Sequence, residues 1–285
     1  MVSLRTACDR IYIVAHKEDV DPLRSALKRD GFDVEEIRGP YTEAQLRYSL
    51  QMRCLVNHAN VWRKVASADQ TAIVVEADFV PVQGFGALPL PSPHGQGTDV
   101  YSAGSILYGF DKFGFPFGHG NTTVAYVLTP ATARHLIAFA ERELSSADAG
   151  GYRLWETYLG IYLRKEAGVL NHIPVYQYGE HGGMMNAEPQ AAGIRGWHQA
   201  DVLWRRLAFL PAYAEGSQVR YRLIRLRGWL RGVARVITLR FFDPRYINPH
   251  TSRGRVPMAG LTISRLLHVA HTFVRHISTP KAATK

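Results

Sequence analysis

Apolar positions along the chain alternate between short continuous runs and stripes spaced by three and four, a pattern that predicts strands interleaved with helices. Arg10-Ile11-Tyr12-Ile13-Val14-Ala15-His16 is rich in β-branched and aromatic residues and reads as a buried first strand. Pro22 suits the first turn of a following helix, whose stripe is Leu23, Ala26 and Leu27 and which Asp30-Gly31 stops. A second strand over 32–37 comes at once, and strand, helix, strand at this spacing opens a parallel sheet. Residues 43–66 read as helical, with Leu46, Leu50, Leu55, Val61, Trp62 and Val65 as apolar faces. Thr71-Ala72-Ile73-Val74-Val75 is another buried strand, and Glu76-Ala77-Asp78 falls where it leaves the sheet. Open parallel sheets bind ligands beyond the carboxyl ends of their strands, so chemistry is expected there.

Residues 81–97 hold four prolines and four glycines and read as a long irregular loop. Strands are expected over 99–107 and 122–128, separated by the Gly/Phe-rich stretch 110–120. Thr129-Pro130 opens a helix running to 144, residues 154–167 make another, and 172–178 close the α/β body as a last strand. Beyond it, Val219, Leu223, Leu226, Leu230, Val233 and Ile237 step by four and three, with Arg220, Arg227, Arg231 and Arg235 on another side. That is the pattern of a basic amphipathic helix, lying on an anionic surface or packed on the body with a solvated arginine face. A shorter segment over 261–277 has the same character.

Composition sharpens this division. The net charge of +10 is unevenly held: residues 1–190 carry 17 Lys and Arg against 21 Asp and Glu, whereas 191–285 carry 17 against 3. A near-neutral body followed by a basic segment that meets an anionic surface is the expectation. We therefore read 1–190 as the catalytic domain and 191–285 as a basic, amphipathic helical extension. Two cysteines, Cys8 and Cys54, offer no disulfide framework and fit a reducing compartment. The first ten residues lack a signal-peptide pattern, and no apolar stretch is long enough to span a bilayer. A cytoplasmic protein, peripheral on the inner face of the plasma membrane, is expected.

Two carboxylates one residue apart at a strand end, as in Glu76 and Asp78, can hold a divalent cation against a diphosphate, because hard metals take oxygen ligands. The same spacing also occurs in simple turns and helix caps. Tyr178-Gly179-Glu180-His181-Gly182-Gly183 sets an acid and an imidazole among glycines; His181 there is a candidate metal or phosphate ligand, or part of a surface turn. Trp62 and Trp155 fit core packing better than sugar stacking.

Several segments, in order, resemble glycosyltransferase family 25, which includes lipopolysaccharide-biosynthesis and collagen galactosyltransferases. They are 11–15, Cys54-Leu55-Val56-Asn57-His58, Val74-Val75-Glu76-Ala77-Asp78, the stretch from Gly120 through Ala125-Tyr126 to Leu128, and 131–136. The likeness covers about residues 10–185, and departs from the family at Ala77, where its middle Asp stands, and at Asn57, where it has Ser. It implies a GT-A-like fold, that is, a Rossmann-type, mostly parallel sheet flanked by helices, here with the basic helical extension. By this resemblance Asp78 would ligate Mn²⁺ or Mg²⁺, with Glu76 contacting the ribose or a metal-bound water. Val14, Ala15 and His16 would border the nucleotide, with His58 and Asn121 among the donor contacts. An inverting transfer needs a general base. Glu156, which matches an acidic family position before a helix, is the first candidate and Asp148 the second; a helix first-turn charge and a loop residue are their structural alternatives.

The implied activity moves a sugar from a nucleotide donor, a UDP-sugar by the resemblance, to a hydroxyl of a lipopolysaccharide or other bacterial surface glycan. The expected partners are that donor, a glycan or lipid-linked acceptor, and an anionic membrane surface met by 219–277. A catalytically inactive sugar-nucleotide-binding relative, or a scaffold of an envelope-glycan complex, is the alternative. Nucleic-acid binding is not expected, because the basic residues are not interleaved with a reader motif. A dehydrogenase would need a Gly-x-Gly-x-x-Gly turn after the first strand, where Ala15-His16-Lys17-Glu18 stands.

Overall fold

The structure, a computed structural model, describes residues 2–101, 106–119, 122–146, 155–174, 178–182 and 206–237. Its elements run α1 (Leu4–Ala7), β1 (Arg10–Val14), α2 (Asp21–Arg29), β2 (Asp33–Ile37), α3 (Glu43–Leu46), α4 (Leu50–Ala68), β3 (Ala72–Glu76) and β4 (Phe79–Pro81). They continue through β5 (Gly97–Asp99), β6 (Ile106–Phe110), β7 (Pro116–His119), β8 (Ala125–Leu128), α5 (Pro130–Ser145), α6 (Trp155–Lys165), β9 (Asn171–His172), β10 (Gly179–His181) and α7 (Gln218–Ile237).

Eight strands form one sheet in the order β2-β1-β3-β8-β5-β9-β7-β6, while β10 and β4 make a separate antiparallel ribbon. The parallel unit expected from the first three strands is present: β2 and β3 both pair parallel with β1. The fold is α/β as expected, a large sheet flanked by helices, but its order is mixed rather than mostly parallel. β8 runs antiparallel to both β3 and β5, and β7 runs antiparallel to β6 and β9, so the sheet is mixed. Among the described residues of 97–128 no helix intervenes, and antiparallel neighbours need no helical crossover.

β3 is buried along its apolar length, as a central strand covered on both faces should be. Strand alternation divides its side chains between two layers. Ile11, Ile13, Ile73 and Val75 join a cluster with Leu23, Leu27, Phe79 and Phe85. Tyr12, Val14, Ala72 and Val74 join a second with Leu55, Trp62, Leu136, Phe139 and Trp155. Trp62 and Trp155 are fully buried, in keeping with the core role read from the sequence.

The helix expected over 43–66 divides. Thr42 and Gln45 close a capping box on α3, and Ser49 caps a new start at α4. The Pro/Gly-rich stretch 81–97 is irregular but not superficial: it contains a 3₁₀ turn at Phe85–Ala87 and buries Val82, Phe85 and Leu88. The extension boundary expected at 190 falls outside the described residues. From Arg206 the chain is back on the body, where Gln83 N donates to Arg206 O (2.8 Å), Ala208 N to Pro81 O (2.8 Å) and Tyr213 N to Gly182 O (3.1 Å). The helix read over 261–277 also lies outside the described residues. Among the described residues no helix is long and apolar enough to cross a membrane.

Candidate active site at the end of the third strand

β1 and β3 end side by side, with Val14 in register with Glu76, and the chain leaves β3 through Ala77 and Asp78 before turning into β4. Glu76 N donates to Val124 O (2.8 Å) and Ala77 N to Val14 O (2.9 Å), so backbone bonds on both flanks fix the exit. Ala77 is buried in the same cluster as Phe79 and Val80. A carboxylate there would be desolvated without compensation, so alanine fits its inward-facing position between the two acids.

Glu76 is held from behind. α4 places Cys54, His58 and Trp62 four residues apart on one face, turned toward the sheet. Trp62 Nε1 donates to the Tyr126 hydroxyl oxygen (2.7 Å), the Tyr126 hydroxyl lies 2.8 Å from His58 Nδ1, and His58 Nε2 lies 3.2 Å from Glu76 Oε1. Since the indole can only donate, the hydroxyl hydrogen is left for His58 Nδ1, and neutral His58 then carries its proton on Nε2, toward Glu76. Thr123 Oγ1 donates to the same Glu76 oxygen (2.5 Å). His58 is wholly buried and packs near Trp155, Trp62 and Tyr126 at ring separations of 5.5–6.0 Å. Buried so, it reaches the strand end through its hydrogen bond with Glu76.

Asp78 is met from the other side by the ribbon. His181 Nε2 lies 2.8 Å from Asp78 Oδ2. Burial alone would lower the His181 pKa, but Asp78, then Glu76 and Glu180, raise it above the ordinary value. The glycines beside it serve close approach rather than an open phosphate cradle. A Cβ on Gly179 would come within 2.3 Å of the Phe79 ring, and one on Gly182 within 2.9 Å of Asp78 O. Asp78 Oδ1 is buried and has no hydrogen-bond partner among the described residues.

Glu156, in the first turn of α6, joins this acidic group. Burial, with the Glu76 carboxylate adding, pushes its pKa up to about 8. Burial, followed by Glu76, Glu156 and Asp78, also pushes the Cys54 thiol well above its ordinary value. Cys54, His58 and Glu76 each bring one ligand atom within 4.8 Å of the others, a donor set suited to zinc. The raised thiol pKa of Cys54, and His58 already bonded on both nitrogens, make that set a poor match for zinc as it stands.

The remaining expected contacts distribute as follows. Val14 and Ala15 are buried, and their carbonyls already accept from Ala77 N and Asn57 Nδ2 (2.9 Å each). Asn57 also accepts from Gly39 N (2.9 Å) and donates to the Tyr41 hydroxyl (2.8 Å), so it ties the end of β1 to the loop after β2. His16 is half-buried, its ring 6.1 Å from Tyr41. Asn121 and Asp148 lie outside the described residues. Arg53 was not foreseen: it acts electrostatically on both His16 and Tyr41, and its buried Nε has no partner among the described residues. Its position one residue before Cys54 in the helix was visible, but a lone arginine gives no signal in a sequence.

The chain matches no protein-family model and no curated protein.

Proposed function

We propose that the protein is a glycosyltransferase that moves a sugar from a nucleotide donor, a UDP-sugar on the family-25 resemblance, to a hydroxyl of a lipopolysaccharide or other surface glycan with inversion. The reading assigns residues 1–190 to a GT-A-like catalytic domain. The observation that carries it is the Asp78 carboxylate, one oxygen paired to His181 and the other buried with no partner among the described residues, beside Glu76 at a strand end.

That unpartnered oxygen fits a divalent cation, since a buried carboxylate oxygen with nothing to accept from favours an oxygen-seeking charge. Asp78 and Glu76 would hold Mn²⁺ or Mg²⁺, which when bound supplies positive charge against the leaving diphosphate. His181 positions Asp78 by holding one of its oxygens. The Trp62, Tyr126 and His58 series, with Thr123, holds one oxygen of Glu76, Oε1. Arg53, from α4, and His16, just beyond β1, are suited to the donor's phosphate or uracil edge. Glu156 is the base that would take the acceptor hydroxyl's proton. Because its pKa is raised to about 8, it holds its own proton at neutral pH and becomes competent as pH rises through that value. Turnover should therefore climb toward pH 8, and Glu156→Gln should remove that climb.

The alternative of an inactive relative rested on Ala77, and a side chain directed into the core carries no weight for it. The test is ligand-dependent melting with a panel of nucleotide diphosphates. UDP with Mn²⁺ is expected to raise the melting temperature, and Asp78→Asn to abolish the metal-dependent part. A panel giving no metal-dependent response would defeat the reading.

A further inference from the structure

The two sides of α7 are unlike. Tyr221 packs against the core cluster and Arg225 Nη1 lies 3.5 Å from Glu180 Oε2, which seats the helix on the ribbon. Val219, Leu223, Leu226 and Leu230, spaced by four, three and four, lie on the opposite side and are 56–68% exposed. A helix packed on a body turns its apolar stripe inward; this one turns it out. Arg220 and Arg222 are exposed at either edge of that ridge, and Gln218–Ile237 contains six arginines and no acidic residue.

We propose that this face docks the protein on an anionic bilayer, with α7 lying in the plane of the interface, the four apolar side chains at the acyl boundary and the arginines among the headgroup phosphates. Charge and shape together choose the occupant. A nucleic acid would match the arginines but leave the leucine ridge uncovered. A second copy would cover the ridge while bringing two sets of like charges together. The inference rests on the faces of α7 and not on sugar transfer. If both hold, Arg225 and Glu180, next to His181, place the site within a helix's breadth of the surface where a lipid-linked acceptor lies.

The test is sedimentation of the full chain with vesicles of phosphatidylcholine alone and of phosphatidylcholine mixed with phosphatidylglycerol. Binding to the mixed vesicles is expected, weaker for the neutral ones and reduced by salt. The Leu223→Ser/Leu226→Ser variant should bind about tenfold less or worse, and Arg220→Gln/Arg222→Gln about tenfold less. All four positions are exposed, so both variants should melt as the parent does and keep its Mn²⁺-dependent response to UDP. That separates failure here from failure of the transferase reading. Unchanged sedimentation of the leucine variant would overturn the proposal. So would a dimer in light scattering that the same variant disperses, or preference for RNA over the mixed vesicles.

Discussion

Two imidazole–carboxylate pairs of nearly equal length sit in different parts of this molecule, and only one belongs to the candidate site. His181 and Asp78 are 2.8 Å apart; His172 and Asp111 are 3.0 Å apart. Asp111 is fully engaged: Oδ1 accepts from Phe113 N and Phe115 N (2.9 Å each), and Oδ2 faces His172. It braces the turn joining β6 to β7. Burial would raise the Asp111 pKa, but those hydrogen bonds bring it below the ordinary value. Asp78 has a buried oxygen with no partner among the described residues, and with Glu76 it acts on Cys54 alongside Glu156 and on His181 alongside Glu180. The contrast teaches that an acid–imidazole pair is architecture when the carboxylate's acceptors are satisfied, and suits the proposed cation when negative charge and an acceptor are in surplus.

The largest effect should come from removing that surplus. Asp78→Asn is expected to eliminate the Mn²⁺-dependent stabilisation by UDP, whereas Asp111→Asn should retain it; isothermal titration with both variants reads this directly. If Asp111→Asn lost the response as fully, the two pairs would not differ in kind. Stability should show the reverse order. Asp111→Ala leaves two turn N–H groups and His172 without their acceptor, and should cost about 2 kcal/mol in urea unfolding. Asp78→Ala should cost less, because it also relieves repulsion among neighbouring carboxylates.

A smaller effect is expected one step behind the site. Tyr126→Phe deletes the acceptor of the buried Trp62 N–H and the partner of His58 Nδ1. It should cost about 1 kcal/mol of stability and lower turnover about tenfold through Glu76. Loss of stability with unchanged turnover would make the series structural only.

The β1-α2-β2 start, β3 and the acids at its end were legible because continuous apolar runs and Pro/Gly punctuation report buried strands and helix limits directly. The mixed order of the sheet was not, since the seating of a short strand such as Gly97–Asp99, antiparallel to Ala125–Leu128 and parallel to Asn171–His172, depends on contacts distant in sequence. Cys54 and His58 were noticed as a motif, but the chain gives no sign that Tyr126 lies between His58 and Trp62. Equally, Glu180-His181 could be read as a glycine-bordered pair, while its pairing with β4, which delivers His181 to Asp78, appears only in three dimensions. The outward turn of the α7 stripe was invisible for the same reason: periodicity reports that a helix has two faces, not which one the body takes.

The finest difference between the two pairs is in the imidazoles. Burial, opposed by Asp111 and aided by His94, lowers the His172 pKa, and its buried Nδ1 has no partner among the described residues, so a second ring proton would have nothing to bond. His181 is displaced the other way by its three carboxylates. In metal-free protein, NMR titration should find His172 changing charge below the ordinary histidine value and His181 above it. The linked stabilities have opposite signs. The contribution of His181 is complete below its unfolded pKa and is lost as pH rises through the folded value. His172, with its folded pKa depressed, favours the native state above the unfolded value, an advantage lost as pH falls through the folded one. His181→Gln should therefore flatten the alkaline side of the stability profile and His172→Gln the acid side. If both histidines titrated on the same side of the ordinary value, the surplus of negative charge around Asp78 would be too small to distinguish it from Asp111.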